Sequence, residues 1–133
     1  LERKKISFSG EKYSEENREK VYDRIIDLAK KRLEEGKSCI LDASFINRKM
    51  RKKAASIGKH LIVNPIISDS VAHERLKRRN NALSDAGEGV YDMVRDNFED
   101  FDPDEMAVLV RVNGDDPLSY EGAYSIISKK HLK

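Results

Sequence analysis

Apolar residues first recur at helical spacing at Val21, Tyr22, Ile25, Ile26, Ala29 and Leu33, positions that fall on one face of an α-helix. The spacing predicts a helix opening at Ser14 as N-cap, with Glu15 and Glu16 where the helix dipole favours negative charge, and stopping at Gly36. Ser38 to Ala43 is continuously apolar rather than alternating up to Asp42, the pattern of a strand covered on both faces in a parallel sheet. A basic helix from about Asn47 to Ile57 follows, stopped by Gly58. His60 to Ile67 reads as a second strand, bent or shortened by Pro65. Ser68-Asp69-Ser70 offers N-caps for a helix through about Asn80. After a loop at Asn81 to Asp85, Ser84 caps another helix bearing Val90, Met93, Val94, Phe98 and Phe101, which Asp102-Pro103 ends. Ala107 to Val112 is the third strand, and a final helix carries Ala123, Ile126 and Ile127 beyond the turn Asn113-Gly114-Asp115-Asp116-Pro117.

Single strands joined by helical crossovers define the class: an α/β domain whose parallel sheet of about three strands is flanked by helices. Such sheets usually hold about four to six strands, so the pattern leaves the sheet short at its N-terminal side. The 133 residues make one domain, or most of one.

Composition narrows the classes. Charged residues make up 38% of the chain, but Lys+Arg (26) and Asp+Glu (24) nearly cancel to a net charge of +2. The total therefore announces no nucleic-acid partner, and local clusters must decide. Cys39 is the single cysteine, which excludes an internal disulfide and reads as a buried thiol. No apolar run approaches the roughly 20 residues of a membrane span, and the charged start is no signal peptide; a cytoplasmic location is expected. The three histidines show no metal-ligand spacing and no serine sits in a nucleophile elbow, so metal hydrolysis and acyl transfer lack support.

Chemistry concentrates elsewhere. Ligands of open α/β sheets sit outside the carboxyl ends of the strands, and Asp42 ends the first apolar run. A carboxylate there can hold Mg2+ beside nucleotide phosphates; the alternative is an aspartate that caps the strand-to-helix turn. Arg48 and Arg51, three apart on the next helix, could reach an anion near Asp42, whereas the surrounding lysines make a solvated face. Glu74-Arg75-Leu76-Lys77-Arg78-Arg79 would put Arg75 and Arg79 on one helical face with Arg78 a turn from Arg75. Such guanidiniums suit a lid closing over phosphates, or ion pairs with the acidic helix carrying Asp92, Asp96, Glu99 and Asp100. Ser9-Gly10-Glu11-Lys12-Tyr13-Ser14 lacks the preceding glycine, the Gly-Lys-Ser/Thr run and the preceding strand of a P-loop; no Walker A motif is present.

Several stretches together resemble the later two-thirds of a P-loop kinase of the AAA_33, or zeta-toxin-like, group. They are Tyr13-Ser14-Glu15-Glu16 leading into the Val21-Tyr22 helix, Gly36-Lys37-Ser38-Cys39-Ile40-Leu41-Asp42-Ala43-Ser44-Phe45, Glu74-Arg75-Leu76 with Arg79, Ser84-Asp85-Ala86, Val90-Tyr91, and Phe98 to Pro103. The likeness runs in one register over about residues 6–130. It implies an ATP-dependent kinase acting on a hydroxyl acceptor, with ATP and Mg2+ as cofactors. Asp42 then matches a Walker-B-like magnesium-side carboxylate, and Arg79, with Arg75 or Arg78, matches lid arginines in a lid over about residues 75–101. Ser44, Phe45, Arg48 and Arg51 would line the acceptor side, and Asn113, Gly114 and Asp115 would lie near the adenine. The group's first strand, Walker A loop and second strand would precede residue 1, so the chain is expected to be an incomplete domain, inactive by itself. The competing readings are a nucleic-acid-binding module on the two basic clusters, strongly salt-dependent but without an aromatic platform, and a non-catalytic domain completed by a partner. Exposed sheet edges would favour association between copies.

Overall fold

The structure, a computed structural model, describes residues 15–79 and 88–131. The chain divides into two compact units, residues 1–59 with 81–100 and residues 60–80 with 101–133.

The first unit is helical. Helix α1 (Glu15–Glu34) buries Tyr22, Ile26 and Ala29, one stripe of the expected face, while Val21 stays 61% exposed. It ends in a Schellman motif: Gly36 stands at φ +75°, its N–H donates to the Leu33 carbonyl and that of Lys37 to Arg32. Glycine adopts that left-handed conformation without a Cβ clash. Helix α2 (Arg48–Ala55) opens on Asn47, whose side chain accepts the Lys49 N–H, and packs Met50 against α1. Burying a side chain such as Ile26 or Met50 contributes about 1.5–3 kcal/mol. At the exposed margin Lys49 pairs with Glu19 and Lys53 with Asp23. Helix α4 (Glu88–Asn97) half-buries Val90, Met93 and Val94.

The second unit holds the sheet. Strands β1 (Ile62–Ile66) and β2 (Leu109–Asn113) run parallel, Ile62 beside Leu109 and Ile66 beside Asn113. Helix α6 (Ser119–His131) covers one face, where Val110, Val112 and Ala123 form the core with Leu61 against it. Helix α3 (Asp69–Lys77) follows β1, and the short helix α5 (Pro103–Ala107) precedes β2.

The α/β class with a parallel sheet flanked by helices is what the sequence predicts, but several elements differ. Ser38 to Ala43 forms no strand, and Ile40 is 94% exposed. A parallel strand needs a neighbour for its backbone groups, and among the described residues none lies beside this run, so the sheet has two strands. Cys39 is exposed, its thiol 3.9 Å from the Ala29 carbonyl, rather than buried. Strand β1 is shorter than His60 to Ile67, as expected, but Pro65 lies inside it. Ile62 donates to Val108 and Ile66 accepts from Gly114, so the even-numbered residues face β2 and Pro65 points its missing donor the other way. Asp102-Pro103 begins a helix instead of ending one: Asp102 and Glu105 close a reciprocal capping box with Pro103 at the first helical position. That turn moves the last strand from Ala107–Val112 to Leu109–Asn113. The expected caps Ser14 and Ser84 lie outside the described residues.

Candidate functional site

In the first unit the chain between α1 and α2 is shaped by two side chains. The Tyr22 hydroxyl accepts the Phe45 N–H at 2.9 Å and hydrogen-bonds Ser44 Oγ at 3.1 Å, and the Tyr22 and Phe45 rings meet with centroids 5.0 Å apart. Phe45 sits at φ +44°, a left-handed conformation that costs a non-glycine residue about 1–3 kcal/mol unless its surroundings hold it. Arg51, 6% exposed, supplies the rest of the hold. Its guanidinium donates to the carbonyls of Phe45 (2.8 Å), Ile46 (3.3 Å), Glu99 (2.8 Å) and Asp100 (3.2 Å) and lies 4.9 Å from the centre of the Phe98 ring. The planar fork that lets arginine bridge several acceptors is what lysine lacks. Arg48 joins the same segment: its N–H donates to Glu99 Oε2 at 2.8 Å and its side chain to the Asp100 carbonyl at 2.7 and 3.2 Å. The Glu99 N–H in turn donates to the Ile46 carbonyl.

The four residues expected around the acceptor, Ser44, Phe45, Arg48 and Arg51, therefore form one connected segment. The two arginines direct guanidinium donors to backbone carbonyls. Asp42, just before this segment, and Ser44 within it are exposed. On the α1–α2 margin the Asp23 carboxylate, hydrogen-bonded to Lys53, raises the lysine pKa above its ordinary value.

The second unit gathers another set at the carboxyl ends of β1 and β2. Asn113 Oδ1 accepts the Asp115 N–H at 3.0 Å, folding the turn, and the Asp115 carboxylate accepts the Ser68 N–H at 3.2 and 3.3 Å. That carboxylate stands at the start of α3, where the helix dipole favours negative charge, and Ser68 is the N-cap but makes no side-chain cap bond itself. Arg75 donates to the Gly114 carbonyl at 2.9 Å. Gly114 is buried, and a Cβ there would collide with Ile67 Cγ2 and crowd the Ile66 carbonyl oxygen at 3.3 Å; the close approach of the β1 end excludes a side chain. Ile66, Ile67, Ser68, Asn113 and Asp115 rim an open depression of about 470 Å³.

Three guanidiniums on one helix are not what α3 presents. The helix ends at Lys77 with Arg78 as its C-cap, so Arg79 lies beyond it and off the face of Arg75. Arg78 pairs with Glu74 at 2.5 Å, and both arginines beyond Lys77 are exposed. The acids proposed as resting partners are engaged elsewhere: Asp92 and Asp96 pair with Arg95, and Glu99 with Arg48. The tip of the expected lid, residues 80–87, lies outside the described residues. Among the described residues no three His, Cys, Asp or Glu side chains group to hold a metal ion, and no helix is long and apolar enough to cross a membrane.

Sequence reasoning missed the partners of the Tyr22 hydroxyl and the hydrogen bond of the Asp115 carboxylate to Ser68, a residue it did offer as a cap. Tyr22 sits at a core position of α1, and nothing local announces that its hydroxyl meets residues more than twenty positions on. The capping box was legible, since Asp-Pro-Asp-Glu carries its signature.

The profile of the AAA_33 family, described as an AAA domain, matches residues 2–101. That span includes Asp42, the segment from Ser44 to Arg51 and Arg75 to Arg79. No curated protein and no solved structure matches the chain.

Proposed function

The chain belongs to the AAA_33 family of AAA domains, and from that premise we propose that it is part of an ATP-dependent kinase that phosphorylates a hydroxyl-bearing small molecule. The family is one of P-loop-type nucleotide-binding domains, and the match over residues 2–101 carries the reading. The donor set partly fits. Mg2+ beside a nucleotide takes one or two carboxylates and fills its remaining positions with phosphate and water, a demand that an exposed Asp42 meets. The phosphates demand a cradle of backbone donors and a lysine, and no Gly-x4-Gly-Lys-Ser/Thr occurs in the 133 residues. When bound, Mg2+–ATP supplies the transferable phosphoryl group and neutralises its charge.

The resemblance to P-loop kinases gives the chain's own groups their contributions. Asp42 offers the magnesium-side carboxylate. Ser44 and Phe45 present the acceptor surface, with Arg48 and Arg51 holding its shape. Arg78 and Arg79 offer guanidiniums to phosphate oxygens, with Arg75 anchoring α3 to the Gly114 carbonyl. Asn113, Gly114 and Asp115 border the base.

Without a phosphate loop the 133-residue chain binds Mg2+–ATP weakly and transfers nothing; a calorimetric titration returning micromolar affinity overturns this. The kinase reading has a separate test in the reading frame preceding Leu1. A Gly-x4-Gly-Lys-Ser/Thr within about 50 codons supports it, and in the extended protein Asp42→Asn should then lower kcat by about 100-fold or more. Phosphoryl transfer indifferent to Asp42→Asn removes the role given to that carboxylate. A nucleic-acid-binding role on the basic helices draws less support, because Lys49 and Lys53 pair with Glu19 and Asp23 and Arg48 and Arg51 hold backbone carbonyls.

A further inference from the structure

We propose that Phe45 is a two-state latch. Closed, in the left-handed conformation that the Tyr22 hydroxyl and Arg51 hold, it keeps residues 99 and 100 tied to the chain between α1 and α2; released, it frees both segments together. The latch does not depend on the phosphotransfer reading. Only its use rests on that reading, in which a molecule on the acceptor side that loosens or tightens Phe45 acts at the same time on the end of α4.

The hydrogen bonds form an unbroken relay. Phe45 stands at φ +44°, and both of its backbone groups are engaged by side chains. Its N–H donates to the Tyr22 hydroxyl at 2.9 Å and its carbonyl accepts from Arg51 at 2.8 Å. The next carbonyl, that of Ile46, accepts the Glu99 N–H at 2.8 Å. One terminal nitrogen of the Arg51 guanidinium serves Phe45 and Ile46, and the other serves Glu99 and Asp100. The same guanidinium lies 4.9 Å from the centre of the Phe98 ring, directly after α4. Rotating Phe45 out of the left-handed region swings the Ile46 carbonyl relative to Tyr22. The Glu99 N–H and half of the Arg51 fork then lose their acceptors in one step.

Two states follow from the energies and the packing. A left-handed phenylalanine is strained by about as much as one or two hydrogen bonds return, so the balance turns on whether both holds are made. Tyr22, Ile46 and Arg51 are buried, and a packed interior switches between discrete arrangements rather than deforming by degrees. An element whose equilibrium is biased from either end couples the two ends. Here the ends are the Tyr22 hydroxyl and the backbone of Glu99 and Asp100.

Amide hydrogen exchange of the whole chain in low urea reads the latch. In the unmodified chain Phe45 and Glu99 should share one opening constant, with the weak urea dependence of a local release. The amide of Ile26 in the core of α1 should follow the steep dependence of unfolding. Tyr22→Phe removes only the hydroxyl, at the Phe45 end. It should accelerate Glu99 exchange about five-fold, the factor of one net hydrogen bond, without steepening its urea dependence. Opening constants of Phe45 and Glu99 that differ by more than about ten-fold overturn the proposal. So does Glu99 exchange that stays unchanged, or turns steep in urea, in a folded Tyr22→Phe chain. If that variant unfolds, the unmodified chain decides: a shared, weakly urea-dependent opening supports the latch, and separate openings overturn it.

Discussion

Arg51 and Lys53 are two residues apart on α2 and show how differently two cations can be used. Arg51 is buried and bridges four backbone carbonyls on two segments; hydrogen bonds from a charged donor contribute more than neutral ones, and removal leaves buried acceptors unsatisfied. Arg51→Met should destabilise the chain by about 2–4 kcal/mol in urea unfolding, and Arg51→Lys should recover only part, because an ammonium cannot span the same acceptors. Lys53 is exposed and held by Asp23. Its pKa is raised by that partner, so its contribution is complete at neutral pH and is lost only as pH climbs through the alkaline lysine range. Unfolding midpoints of the unmodified chain and Lys53→Met should therefore converge at strongly alkaline pH, where the unmodified lysine is also neutral. A gap that stays constant through that range contradicts the assignment.

Elements here are bounded by local chemistry that acts within a turn or two. Gly36 ends α1 at positive φ with both Schellman hydrogen bonds made. Gly36→Ala keeps the bonds but sets a Cβ in the left-handed region, so thermal unfolding should show a loss of about 1 kcal/mol. Asp102 caps α5 and takes the Glu105 N–H at 2.9 Å. Asp102→Ala should cost about 1 kcal/mol by the same measurement, and an unchanged midpoint would mean that α5 holds by packing alone. Pro103 illustrates why a proline is an ambiguous sign: the same residue that cannot continue a helix is well suited to start one. The capping residues on either side decide between the two.

At the scale of the molecule, residues that sequence reasoning treated as one site fall into two units, each with its own framework. The set around Phe45 and Arg51 is built on helices, and the set at the strand ends on the two-stranded sheet. The expected outcome for the whole chain is weak binding of Mg2+–ATP without transfer, measured by calorimetry and a phosphotransfer assay, because the 133 residues hold no Gly-x4-Gly-Lys-Ser/Thr.

What the sequence determined by itself was whatever short-range periodicity and end signals encode. The amphipathic face of α1 and its Gly36 stop, the parallel pairing of β1 and β2 and the family likeness were all readable, because each depends on spacing within one element or on a pattern spread over many residues. Only the tertiary structure decided the rest. The Tyr22 hydroxyl, the carbonyls that Arg51 bridges and the Asp115 carboxylate at the start of α3 meet groups up to 49 positions away in the chain, and periodicity carries no record of such partners. Ser38 to Ala43 makes the same point in reverse. Its residues have a strand's composition, but a strand is completed by the hydrogen bonds of its neighbour, and composition cannot say whether a neighbour is there.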